Sequence, residues 1–161
     1  MEPKPPADSR STLVRWMGVQ DSNTGGLVHG GIVMKLCDEV AGIAAIRHSG
    51  TRVVTAAMDR MTFVSPVKVA ELMTFKATVN AAWNTSMEVG VRVEAEDPRT
   101  GEARHTSTAY LTMVALDDAG EPTQVPPLAA ESATEKRRER EAELRRTNRL
   151  AERDEILSQR D

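Results

Sequence analysis

The chain has 161 residues, the size of a single domain with one substantial core and an appendage. Its net charge of −3 gives no global attraction to nucleic acid or to an anionic membrane surface. One cysteine, Cys37, excludes an intramolecular disulfide framework and fits the reducing cytoplasm, and neither a run of about 18 apolar residues nor a secretion signal is present.

Residues 1–11, with Pro3, Pro5 and Pro6, read as a mobile leader. Thr12 to Met17 holds Leu13, Val14, Trp16 and Met17 and reads as a short strand leading into a turn-rich loop from Asp21 to Gly31. Gly25, Gly26, Gly30 and Gly31 in that loop imply a sharp bend or the close approach of another group to the backbone. Ile32 to Arg47 is apolar around most of a helical wheel, which predicts a helix buried on several sides. Its polar positions, Lys35, Asp38, Glu39 and Gly42, recur at helical spacing and form one narrow seam.

After Gly50 the period becomes two. A β-branched run from Arg52 to Phe63 stops before Pro66, and from Leu72 to Ala82 the residues Met73, Phe75, Ala77 and Val79 alternate with Thr74, Lys76, Thr78 and Asn80. Ser86 to Glu96 alternates in the same way, and Glu102 to Leu116 returns as a long strand after the turn at Asp97 to Gly101. One helix followed by about four strands in meander order predicts an α+β fold. Residues 131–161 hold nine basic and nine acidic side chains, so a solvated helix is expected there, supported by Glu141 and Arg145 at i, i+4. The expected organisation is a leader over 1–11, a folded domain over 12–128 and a charged helical extension over 129–161.

The chemistry concentrates where the glycine loop meets the helix. The first amides of a helix lack intrahelical acceptors and sit at the positive end of its dipole, so Gly30 and Gly31 present a bare backbone to an oxyanion or a polarised carbonyl; ordinary helix entry is the competing reading. Asp38 lies seven residues beyond Gly31, roughly 10 Å along the axis at 1.5 Å per residue. One small reacting group does not easily span that distance; an acid on the seam would meet a glycine end if a second copy packed antiparallel. A structural role for Asp38, pairing with Lys35, stands beside the catalytic one, and Glu39 reads as structural or interfacial. Asn23 is either an Asx-turn residue or a group that orients water or a carbonyl. His29 reads as shaping a pocket, Cys37 as inert for want of a base, and no metal-ligand spacing occurs.

Asn23-x-x-Gly26-x-x-His29-Gly30-Gly31, Met34, Asp38-Glu39, Val53-Val54-Thr55-Ala56, Phe63-x-x-Pro66-Val67 and Thr85-Ser86-Met87, in that order, resemble the hotdog-fold acyl-CoA thioesterases, in their cytosolic acyl-CoA hydrolase branch. The resemblance spans about Leu13 to Pro127. It implies an antiparallel sheet wrapped round one long helix, a homodimer as the smallest unit and a trimer of such dimers. It also implies hydrolysis of acyl-CoA without a cofactor, coenzyme A being part of the substrate. The site it implies joins Asn23 and Asp38 across the dimer, with Gly31 as oxyanion donor, Asp38 as base or nucleophile, and Gly26, His29, Gly30, Thr85 and Ser86 binding substrate. Arg92, Arg99 and Arg104 are its candidates for the coenzyme A phosphates.

Two other readings of the same fold are a hotdog dehydratase or hydratase, which the Asn23 and Asp38 pattern fits poorly, and a non-catalytic acyl-CoA sensor, which has no need of the acid. A nucleic-acid-binding role for the arginine-rich tail is disfavoured by its balanced charge.

Overall fold

The computed structural model describes residues 1–160. Six strands and two helices follow the order β1 (Ser11–Trp16), α1 (Gly30–Ser49), β2 (Arg52–Met58), β3 (Thr62–Phe63), β4 (Leu72–Ala82), β5 (Ser86–Asp97), β6 (Glu102–Leu116) and α2 (Ala133–Ser158). All pairings between these strands are antiparallel, in the order β1-β4-β5-β6-β2 with β3 also on β6.

Period two does what it should in β4, β5 and β6. Met73, Phe75, Ala77 and Val79, then Val89, Val91 and Val93, then Ala109, Leu111, Met113 and Ala115 all turn to one face and are buried. α1 lies on that face through Val33, Leu36, Cys37, Val40, Ala41, Ala44 and Ala45. Three alanines among these let the helix approach the sheet closely. Gly50 ends the helix in the left-handed region, φ 73°, where its N–H donates to the Ile46 carbonyl at 2.8 Å.

The sheet differs from a meander taken straight from chain order. β4, β5 and β6 do form one, but β2 pairs with β6 at the far edge, and β1 with β4 at the other. A 20-residue helix is roughly 30 Å long, so α1 carries the chain across the sheet before β2 can pair. The run from Arg52 to Phe63 also splits in two, with an irregularity between Thr55 and Ala57 and a break before Thr62.

The leader is more tightly held than composition suggests, and α2, largely solvated as expected, is nonetheless tied to the sheet. The leader forms a 3-10 turn at Pro6–Ser9, the Ser9 hydroxyl accepts from the Val79 N–H at 2.9 Å, and Lys4 forms a bridge with Leu128. α2 begins on a capping box between Ser132 and Glu135 and packs along β4, with Ala142 fully buried. Its Arg145 pairs with Glu88 on β5, while Glu141 pairs with Arg137, so the expected Glu141–Arg145 pair gives way to a tertiary one. No helix among the described residues is long and apolar enough to cross a membrane.

Candidate active site

The glycine loop is held by its own side chains. The Asn23 side-chain oxygen accepts from the Gly25 N–H at 2.9 Å and the Leu27 N–H at 3.2 Å, an Asx turn that Gly26 completes at φ 78°. The carbonyl of Asn23 is therefore committed to the turn, and its NH2 group points to neither of these partners. Val28 donates to the Val67 carbonyl at 2.8 Å, which fixes the loop against the segment after β3, and His29 donates to the Asp21 carbonyl at 2.9 Å, which closes the loop on itself. The His29 side chain is exposed and makes no cap to the helix.

Gly30 and Gly31 are the first two residues of α1, where no helical carbonyl can reach their N–H groups. They differ in what a side chain would meet. A Cβ at Gly30 would touch the Phe63 ring at 3.4 Å, whereas a Cβ at Gly31 would meet nothing within 4 Å. The Gly30 contact is an ordinary van der Waals distance, so packing within the chain requires glycine at neither position.

Gly31, Lys35, Asp38 and Gly42 share one face of α1, on which Gly31 and Lys35 are exposed while Asp38 and Gly42 are half-buried at the border with the sheet. Met34, Ile43 and Ile46 lie beside this seam and are exposed, so the apolar surface of the helix runs wider than its buried side. Lys35 pairs with Glu39 at 3.9 Å and not with Asp38. Asp38 instead accepts a hydrogen bond of 2.5 Å from the Thr55 hydroxyl on β2. No hydrogen bond joins Asn23 to Asp38 within the chain.

Thr55 is the residue that sequence reasoning passed over. It lies within Val53-Val54-Thr55-Ala56, but only the pairing of β2 with β6 beside α1 reveals what it touches. Ser86 sits across β6 from Val54, since both pair with Val114, and Thr85 offers its carbonyl to the Ala115 N–H at 2.9 Å. Thr85 and Ser86 thus lie at the Thr55 end of the sheet. Phe63, against Gly30, pairs seven positions along β6 from Val114, at Ser107.

Of the three candidate phosphate arginines, Arg104 is bidentate to Glu71 and also bonds Ser65 and the Pro66 carbonyl. That guanidinium holds the Glu71 carboxyl below its ordinary range. Arg99 is folded onto Asp97, and Arg92 shares Glu94 with Lys76. Cys37 is buried beside Asp38, and burial, with that neighbouring charge, pushes its thiol up to about 12, which keeps it protonated and unreactive. Among the described residues no group of His, Cys, Asp or Glu is placed to hold a metal ion.

The family model of the Thioesterase superfamily matches residues 25–102. The protein VdlD of Helicobacter pylori is 38% identical over 133 residues, which are 82% of this chain and 76% of that protein. The chain belongs to the thioesterase superfamily. The cytosolic acyl coenzyme A thioester hydrolase of Rattus norvegicus is 38% identical over 140 residues, 85% of this thioesterase-family chain and 36% of that protein. The chain therefore spans about a third of the length of this mammalian relative.

Among solved structures, the acyl-CoA hydrolase of Staphylococcus aureus in complex with butyryl coenzyme A, coenzyme A and coenzyme A disulfide superposes with a TM-score of 0.89 at 35% identity, over 96% of this chain and 94% of that one. An apo-hexameric acyl-CoA thioesterase does so with 0.90 at 35% identity, over 94% and 97%. The curled sheet round one long helix is the hotdog fold of these thioesterases. The S. aureus hydrolase has also been solved as three separate alanine mutants, of an asparagine, of an aspartate 15 positions later and of a threonine 17 positions after that.

Proposed function

We propose that the chain hydrolyses acyl-CoA thioesters to a free carboxylic acid and coenzyme A. The observation that carries this reading is the Asp38–Thr55 hydrogen bond, together with the spacing of these residues from Asn23. Asn23, Asp38 and Thr55 lie 15 and 17 positions apart, the spacing of the three residues replaced in the S. aureus hydrolase.

In this reading the Gly31 N–H, with that of Gly30, donates to the thioester oxygen and stabilises the negative charge that builds as the carbonyl carbon becomes tetrahedral. Asp38 either takes the proton of an attacking water or attacks the carbon itself, to be released by water in a second step. The C–S bond breaks, and coenzyme A departs as a thiolate that regains a proton. Thr55 holds the carboxylate in one orientation, and Asn23 uses its free NH2 to position water or the carbonyl. Gly26, His29, Thr85 and Ser86 line the substrate path, and the reaction needs no cofactor.

Two chains make one site. Gly31 and Asp38 face the same way but stand roughly 10 Å apart along α1, and an antiparallel partner helix brings the acid of one chain to the glycine loop of the other. β2 supports this pairing, being an edge strand with an exposed outer side beside the uncovered apolar flank of α1. Three such dimers form the assembly, as the hexameric neighbour suggests, and residues 12–128 carry the activity in the cytoplasm, with 129–161 as an extension.

A free-thiol release assay over short, medium and long acyl-CoA substrates tests this. Release by the wild type and loss of most of it in Asp38→Asn are expected. No release at any chain length, with coenzyme A still bound, would replace hydrolysis by sensing. Light scattering at micromolar concentration should give a mass above that of the monomer.

A further inference from the structure

The outer face of the sheet, opposite α1, carries a cavity of about 490 Å3 between the first half of α2 and strands β1, β4, β5 and β6. That volume is within the range of small-molecule sites. Its cationic lining is Arg10, Lys76, Arg92, Arg137 and Arg138, against the single carboxylate of Glu141. We infer that this cavity binds a phosphorylated small molecule carrying at least two phosphoryl charges.

The local pairing leaves charge to spare. Lys76 and Arg92 share one partner, Glu94, at 3.1 and 2.8 Å. Arg137 is matched by Glu141 at 2.6 Å, and Arg10 approaches Glu135 only to 4.0 Å. Arg138 has no ion pair among the described residues. Five cations thus face three carboxylates even when the flanking Glu94 and Glu135 are included. Guanidinium groups match phosphate oxygens two at a time, which a lone pairing with Glu94 or Glu141 does not exhaust.

The floor is built to donate hydrogen bonds. Thr12, Lys76, Arg92 and Thr108 are register partners across four adjacent strands, so their side chains stand in one row on the outer face. In the next row Thr78 and Tyr110 flank Gly90, which has no side chain to fill the space. A Cβ there would lie 2.5 Å from the buried Asn80 amide, so the gap in the floor is fixed by packing. Further along α2, Arg145 stacks on the Tyr110 ring at 3.6 Å.

Isothermal titration with pyrophosphate and, separately, with adenosine 3′,5′-bisphosphate, the nucleotide portion of coenzyme A, tests the site on the full-length protein. Binding that weakens with added salt, and that falls at least tenfold in Arg92→Gln and in Arg138→Gln, is expected. Arg140→Gln, one charge fewer on the same helix but outside the cavity, should leave affinity unchanged. If the bisphosphate binds and competes in thiol release, raising KM with kcat unchanged, the anion is the substrate's own nucleotide. If pyrophosphate binds with thiol release untouched, the ligand is a separate phosphorylated compound. No heat from either at millimolar concentration, or equal affinity in all variants, overturns the inference. Because the readout is binding, failure here leaves the hydrolase reading standing, and failure of hydrolysis leaves this site standing.

Discussion

Arg145, on the highly charged helix α2, donates two hydrogen bonds of 3.0 and 2.7 Å to the carboxylate of Glu88, which is only 1% exposed on β5. Asn80 donates a third at 3.1 Å. Trp83 donates to Glu143 at 2.8 Å, and Asp59 accepts from Arg149 at 2.9 Å, so α2 is fastened to the outer face at several points. The helix acts as a cover for a carboxylate that could not otherwise remain dry.

Removing the arginine should cost more than the pair contributes. A buried carboxylate that loses its partner keeps its desolvation cost, and breaking such a pair typically costs about 3–5 kcal/mol. Arg145→Ala should lower the unfolding free energy obtained from urea melts by an amount near the lower figure, since the arginine side chain is 23% exposed. Glu88→Gln combined with Arg145→Leu should recover more than half of the loss. Equal midpoints for wild type and Arg145→Ala, at one protein concentration, would show that the pair has no structural weight.

The covered face explains where sequence reading stopped. β4 and β6 were legible to the residue, because Met73, Phe75, Ala77 and Val79 alternate with polar neighbours and nothing else fits period two. Glu88 and Arg92 looked alike in that pattern, both polar and outward, yet one is buried beneath α2 and the other lines a cavity. Alternation tells which face a side chain takes; what later covers the face is a long-range event. The same holds for Thr55, whose hydroxyl meets Asp38 only because β2 pairs with β6 and not with β4. The helix, its polar seam and the glycine loop were local and could be read.

His48 sets a pH dependence. The ring is fully buried near the end of α1, with Nε2 2.8 Å from the Pro126 carbonyl and Nδ1 without a partner. Burial lowers its pKa from the ordinary 6.5, helped by Lys4 and opposed by the Pro126 bond and Asp8. The unfolded chain therefore binds the proton more tightly than the folded one. The stability is complete above about 6.5 and is lost as the pH falls from there toward the lowered folded value. Urea midpoints should fall between pH 7.5 and 5.5, and His48→Gln should flatten that slope; an unchanged slope in the variant would assign it to other groups.

Thr55→Val removes the hydroxyl that holds Asp38 and keeps the β-branched shape suited to a strand. A hydrogen bond to a charged acceptor is worth about 1.5–3 kcal/mol, so thiol release should drop roughly ten- to a hundredfold. Thr55→Ser should retain most of the rate. If valine and serine variants were equally active, the bond would have no part in turnover.

Gly31→Ala separates fold from chemistry more sharply. Nothing lies within 4 Å of the added methyl group, and Gly31 adopts no left-handed φ, so the chain itself has no objection to alanine. Alanine is also the better helix former, by up to about 1 kcal/mol in a helix interior. The melting temperature should hold or rise, with the same mass by light scattering. The methyl group would nonetheless stand between the helix amides and a thioester oxygen, and a displacement of about 1 Å at a reacting centre can cost a hundredfold. A folded variant with a rate near wild type would remove Gly31 from the oxyanion site.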